Sequence, residues 1–125
     1  MATILLIDDT AEVREAVTAV LSGDGHTVVE ARNGREGIET LRSRRFDLVI
    51  TDILMPEQDG TEVIMFLETQ PDRPPVLAIS GGAAKVPAYM ALHLARLKAD
   101  ATLMKPFKNA ELKEKVNALL GNRPE

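Results

Sequence analysis

The sequence predicts an α/β fold: five parallel strands in one sheet, with helices on both faces. Two observations carry this. Short apolar runs alternate strictly with longer amphipathic segments along the chain. Several of the runs are nearly continuous in Val, Ile and Leu, which is how strands covered on both sides read. Five strands and five helices in alternation form a doubly covered parallel sheet.

The elements follow in order. The strand candidates are Thr3–Ile7, Thr27–Ala31, Leu48–Thr51, Val76–Ser80 and Ala101–Met104. Val13, Ala16, Val17, Val20 and Leu21 recur at helical spacing after the first strand, and Leu112, Val116, Leu119 and Leu120 do so after the fifth. Asn33 precedes Glu36 by three positions and Asp59 precedes Glu62 likewise, so both pairs resemble capping boxes that open the second and third helices. Pro87 suits the first turn of a fourth helix, and Asn109 suits the cap of the last one. Gly121 and Pro124 stop that helix. Right-handed crossovers leave few topologies. Among these the expected one is the flavodoxin-like three-layer (βα)5 order 2-1-3-4-5, which is that of a known class of fold; the residues alone leave the choice open.

The totals narrow the function. With 125 residues and no linker or repeat, one domain over 1–125 is expected, with no output domain after the last helix's stop signals. Fifteen basic against nineteen acidic residues leave a net charge of −4, which argues against a nucleic-acid surface. The absence of cysteine excludes disulfides and thiolate metal sites. No apolar run approaches the roughly 20 residues needed to cross a bilayer, and the first strand-like run is not a signal peptide. A cytoplasmic protein without membrane contact is expected.

In a sheet of this kind, ligands bind beyond the carboxyl ends of the strands, where the winding reverses. Strand 1 runs into Asp8-Asp9, strand 3 into Asp52, strand 4 into Ser80-Gly81-Gly82 and strand 5 into Lys105-Pro106-Phe107. Each has an ordinary explanation alone: a helix cap, a turn residue, a loop, a solvated lysine. Their joint placement on one rim is what signals chemistry. Three carboxylates together repel one another unless a cation offsets them. Mg²⁺ favours a few carboxylate oxygens, waters and phosphate oxygens. With Lys105 taking charge and Ser80 donating a hydrogen bond, the set suits a phosphoryl group, and a carboxylate left over could be the nucleophile.

On these residues the whole chain resembles the response-regulator receiver family. Asp8-Asp9 matches its acidic pair, Asp52-Ile53-Leu54-Met55-Pro56 followed by Asp59-Gly60 matches its phosphoacceptor loop, and Ser80 and Lys105-Pro106-Phe107 match its hydroxyl and lysine positions. The resemblance implies that Asp52 accepts the phosphoryl group from a histidine kinase or a histidine phosphotransfer protein. It implies a Mg²⁺ ion (Mn²⁺ in its place being compatible) bound by Asp9, Asp52 and the backbone carbonyl of Leu54, with Asp8 acting through a water. Ser80 and Lys105 would contact the phosphoryl oxygens. It also implies a cis Lys105–Pro106 bond, a form essentially confined to X-Pro. A target protein would read the face made by the predicted fourth helix, the fifth strand and the last helix.

The chain departs from the common family pattern three positions before the lysine. Thr102 stands where many receivers carry an aromatic ring, so the usual ring rotation cannot operate in that form. Tyr89, with His93 one turn away on the predicted fourth helix, could substitute. Two other classes fit less well. A haloacid-dehalogenase-like phosphatase needs an acid two residues after its nucleophile, and Leu54 cannot move a proton. A flavin module needs a phosphate loop after strand 1, where two carboxylates stand. The expectation is therefore a signalling module that is not an enzyme on other molecules, acting on a switched target or as a phosphorelay shuttle.

Overall fold

The structure, a computed structural model, describes residues 1–53, 60–80 and 99–121, with Gly60, Thr61 and Ser80 described by their backbone alone. Within these lie β1 (Thr3–Ile7), α1 (Ala11–Gly23), β2 (Thr27–Ala31), α2 (Gly34–Ser43), β3 (Leu48–Asp52), α3 (Gly60–Glu68), β4 (Val76–Ser80), β5 (Ala101–Met104) and α4 (Asn109–Gly121). The five strands form one parallel sheet in the order β2-β1-β3-β4-β5. Strand composition and order agree with expectation. The predicted helix around Pro87, Tyr89 and His93 lies outside the described residues, as do Asp59, Leu54 and Pro124.

Period-two alternation divides the strands between two cores. Leu5, Ile7, Val49, Val76 and Ala78 face one side, where Ile38 of α2 and Val63, Ile64 and Leu67 of α3 pack on them. Ile4, Leu6, Leu48, Ile50, Leu77, Ile79 and Leu103 face the other, against Val17 and Leu21 of α1 and Leu112, Val116 and Leu119 of α4. All five residues of β3 are buried, as the centre of a doubly covered sheet requires. α2 comes close to the sheet because Gly37 has no side chain: a Cβ there would collide with Ile7.

The ends of the elements are tied by side chains. Asn33 caps α2 by accepting the Glu36 N–H at 2.9 Å, and Glu36 reaches back to the Arg32 N–H, also at 2.9 Å. That contact and the Arg32 guanidinium hold the Glu36 carboxyl below its ordinary pKa. α1 passes into β2 through Gly25, whose φ of 90° falls in the region that only glycine enters freely. At the amino-terminal edge, Asp47 accepts the Thr3 N–H and Asp100 the Val76 N–H, each at 2.8 Å. Asn109 is not the cap of the last helix. α4 already includes it, and Glu111 accepts the N–H of Lys108 at 3.1 Å, so the return half of a capping box falls one residue earlier than expected.

Candidate functional site

The carboxyl ends of the strands bring together four of the predicted residues. Asp8 follows β1 directly, and its N–H donates to the Ala31 carbonyl at 3.1 Å, which prolongs the β1–β2 ladder by one step. Asp52 is the last residue of β3, in register with Ile79 of β4. It belongs to the strand itself rather than to the turn beyond, because that pairing extends through it. Lys105 follows β5, and the Lys105–Pro106 bond is cis.

Lys105 holds the centre. Its Nζ lies 2.9 Å from Oδ2 of Asp52 and 3.1 Å from Oδ2 of Asp8. Asp8 is 1% exposed and Asp52 6%. Carboxylates this buried would be costly without a cation, so the ammonium is a structural requirement as well as a chemical one. Burial alone would lower the Lys105 pKa. The hydrogen bonds and charges of Asp52 and Asp8 outweigh that, and the pKa lies above its usual value.

The three carboxylates form a group that can hold a metal. Asp8, Asp9 and Asp52 each offer an oxygen, and these oxygens lie within 4.8 Å of one another. Asp9 is exposed while the other two are buried, so the group opens to solvent on one side. The donor set is all oxygen, which suits a hard divalent cation such as Mg²⁺. Asp8 is committed on both sides. Oδ1 accepts the Thr10 N–H at 2.8 Å while Oδ2 takes Lys105. Asp8 is therefore a turn residue at the entry to α1 rather than its cap, which is Thr10, and its carboxylate lies on the rim beside Lys105.

One supporting residue escapes sequence reasoning. Arg14 of α1 donates from Nη1 to the Asp8 carbonyl at 2.6 Å, and its Nε contacts Glu30 of β2 at 3.2 Å. Thr18 also donates to Glu30, at 3.1 Å. Arg14 thus ties the backbone under the acidic pair to α1 and β2. A basic residue less than two turns after an acidic pair is the only signal the sequence offered.

The remaining predicted residues are placed less fully. The backbone of Ser80 ends β4 in register with Met104. Thr102 is half-buried on β5, in register with Ala78 and on the face opposite Leu103. Leu54, Tyr89 and His93 lie outside the described residues.

The family model for the response regulator receiver domain matches residues 4–117. The chain belongs to this receiver family. Among curated relatives, response regulator MprA of Mycolicibacterium vanbaalenii is 36% identical over 117 residues, covering 94% of this chain and 49% of its own length. The chain thus spans about half the length of that relative. A signal receiver domain of a histidine kinase from Syntrophus aciditrophicus superposes with a TM-score of 0.86 at 31% identity, covering 100% of this chain and 96% of that one. Response regulator TrrA of Thermotoga maritima, solved in complex with Mg²⁺-BeF, gives a TM-score of 0.82 at 32% identity, covering 95% and 99%. This is a signalling family, and among the described residues no helix is long and apolar enough to cross a membrane.

Proposed function

We propose that this receiver takes a phosphoryl group onto Asp52 from a phosphohistidine of a histidine kinase or histidine phosphotransfer protein, in the cytoplasm. The N–P bond of the donor breaks and an O–P bond forms at the Asp52 carboxylate. The observation that carries this reading is Lys105 Nζ, held between Asp52 and Asp8 beside the exposed carboxylate of Asp9. Asp9, Asp52 and the Leu54 carbonyl would hold Mg²⁺ (or Mn²⁺), with Asp8 acting through a water. When bound, the ion supplies positive charge against the phosphoryl oxygens. Lys105 shares that task and Ser80 donates to a phosphoryl oxygen. The reading is supported by the relative solved with Mg²⁺-BeF. Incubation with a small phosphodonor and Mg²⁺ should give one acid-stable, base-labile phosphoryl group per chain, absent in Asp52→Asn. Undiminished labelling of that variant would sink the assignment.

The output is proposed to run through residues 81–98, β5 and α4, with Tyr89 and His93 on the surface that a target protein reads. A second reading is favoured by Thr102, which leaves no ring to rotate at that position: a phosphorelay shuttle without a switched surface. Beryllofluoride addition separates the two. Shift changes in residues 81–95 and 102–108 support the switched surface, and changes confined to the rim support the shuttle.

A further inference from the structure

At the amino-terminal edge of the sheet, away from the aspartate rim, a cleft of about 730 Å³ lies between the α2–β3 and α3–β4 connections. Arg42, Arg44, Arg45 and Arg73 line it, with Asp47 and Asp72 as the lining carboxylates. This local excess of positive charge stands on a chain whose net charge is −4. Asp47 is engaged by the Thr3 N–H at 2.8 Å. Among the described residues, no ion pair engages Arg42, Arg44 or Arg45.

Two of these guanidinium groups lie over aromatic rings. Arg42 lies over the Phe66 ring at 5.5 Å and Arg44 over the Phe46 ring at 5.2 Å. Both distances fall within cation–π range, an attraction that helps to keep these two charges beside the cleft. Arg73 Nη2 pairs with Asp100 at 3.3 Å, while Nη1 is buried without a hydrogen-bond partner. An enclosed donor without an acceptor is uncommon in native proteins. Arg73 is among the residues lining the cleft, so an anion held there would bring an acceptor to this side chain.

We propose that this cleft binds a small molecule bearing an oligophosphate group. Guanidinium forks match phosphate oxygens two at a time. Several guanidiniums on two connections match several phosphoryl groups, whereas one carboxylate would leave most of them unpaired. The volume falls within the small-molecule range of roughly 300–1,000 Å³ and exceeds what one phosphate fills. Five-residue strands separate the cleft from the rim by roughly 16 Å at about 3.3 Å per residue, so the two sites do not overlap. The proposal is independent of the role assigned to Asp52.

The test is a titration of the whole chain, followed by NMR and calorimetry in metal-free, low-salt buffer. Inorganic pyrophosphate and ADP serve as separate probes. Saturable binding is expected, with shift changes in residues 41–47 and 66–74. Arg44→Gln and Arg73→Gln should each weaken it by about tenfold, the size of one charge-assisted contact. Equal affinity for both probes would assign the oligophosphate alone as the ligand, and tighter ADP binding would give the nucleoside a share. Should Arg73→Gln fail to fold, the exposed Arg42→Gln replaces it. Lack of saturation by either probe, unchanged affinity in the variants, or shifts confined to Asp8, Asp9, Asp52 and Lys105 would overturn the proposal.

Discussion

Lys105 Nζ stands 2.9 Å from Asp52 Oδ2, and the carboxylate it touches is almost fully buried. The same ammonium reaches Asp8, so one cation serves two buried anions. Replacing it with a neutral chain of similar length leaves both carboxylates facing each other. Lys105→Met should lower the stability of the metal-free protein by about 3–4 kcal/mol, the lower part of the range for breaking a buried pair. Mg²⁺ should then raise the melting temperature of the variant more than that of the wild type, since it restores part of the missing charge. Equal shifts in the two proteins would disprove the shared charge role.

The pH dependence has a defined sign. The folded-state pKa of Lys105 is raised above its ordinary 10.5. Its contribution is therefore fully present below that value and lost as pH rises through the folded-state pKa. The gap in melting temperature between wild type and Lys105→Met should stay level from neutral pH to about 9 and narrow only above 10.5. Thermal melts across that range check this, and a gap that closes near neutrality would contradict it.

Asp9 is the exposed member of the acidic group, so its loss should separate binding from folding. Asp9→Ala should change stability by no more than about 0.5 kcal/mol, as for an ordinary surface position. Its Mg²⁺ affinity should fall at least about tenfold, the loss of one carboxylate ligand. Native affinity, measured by calorimetry, would show that Asp9 is not a ligand.

Arg14→Ala removes the 2.6 Å bond to the Asp8 carbonyl and the contact with Glu30. A loss of about 1–2 kcal/mol in stability is expected for one charge-assisted bond. Mg²⁺ affinity should fall several-fold although Arg14 is not a ligand, and Arg14→Lys should recover part of both. An affinity that stays constant while stability drops would restrict Arg14 to a structural role.

Gly37→Ala places a methyl group against Ile7, which is fully buried. Overpacking of about 1–3 kcal/mol should exceed the roughly 1 kcal/mol that alanine gains in a helix. Shortening the neighbour makes room, so Gly37→Ala with Ile7→Val should be less destabilised than the sum of the two single changes. Denaturant melts of the four proteins test this cycle, and strict additivity would mean that the two side chains do not meet.

Much of the site was legible because its residues end strands. A doubly buried strand reads as a continuous apolar run, and the first charged residue after it must stand on the rim. That logic located Asp8, Asp52 and Lys105 from the order of residues alone. It placed Asp52 just past its strand, because residue type cannot show that the ladder continues to Ile79. Arg14 was not legible. A single arginine in a helix has no periodic signature, and only the tertiary fold brings it under the Asp8 carbonyl. Asp47 and Asp100 escaped for the same reason: they cap strands far away in sequence.

The bond between Lys105 and Asp8 joins residues 97 positions apart. Closing so long a loop is entropically unfavourable until the intervening strands have paired. The rim is therefore expected to assemble late, after the sheet, with its contacts largely absent at the folding barrier. Ions or phosphoryl groups held there act on the descent from that barrier: they should slow the rate of unfolding and leave the rate of folding almost untouched.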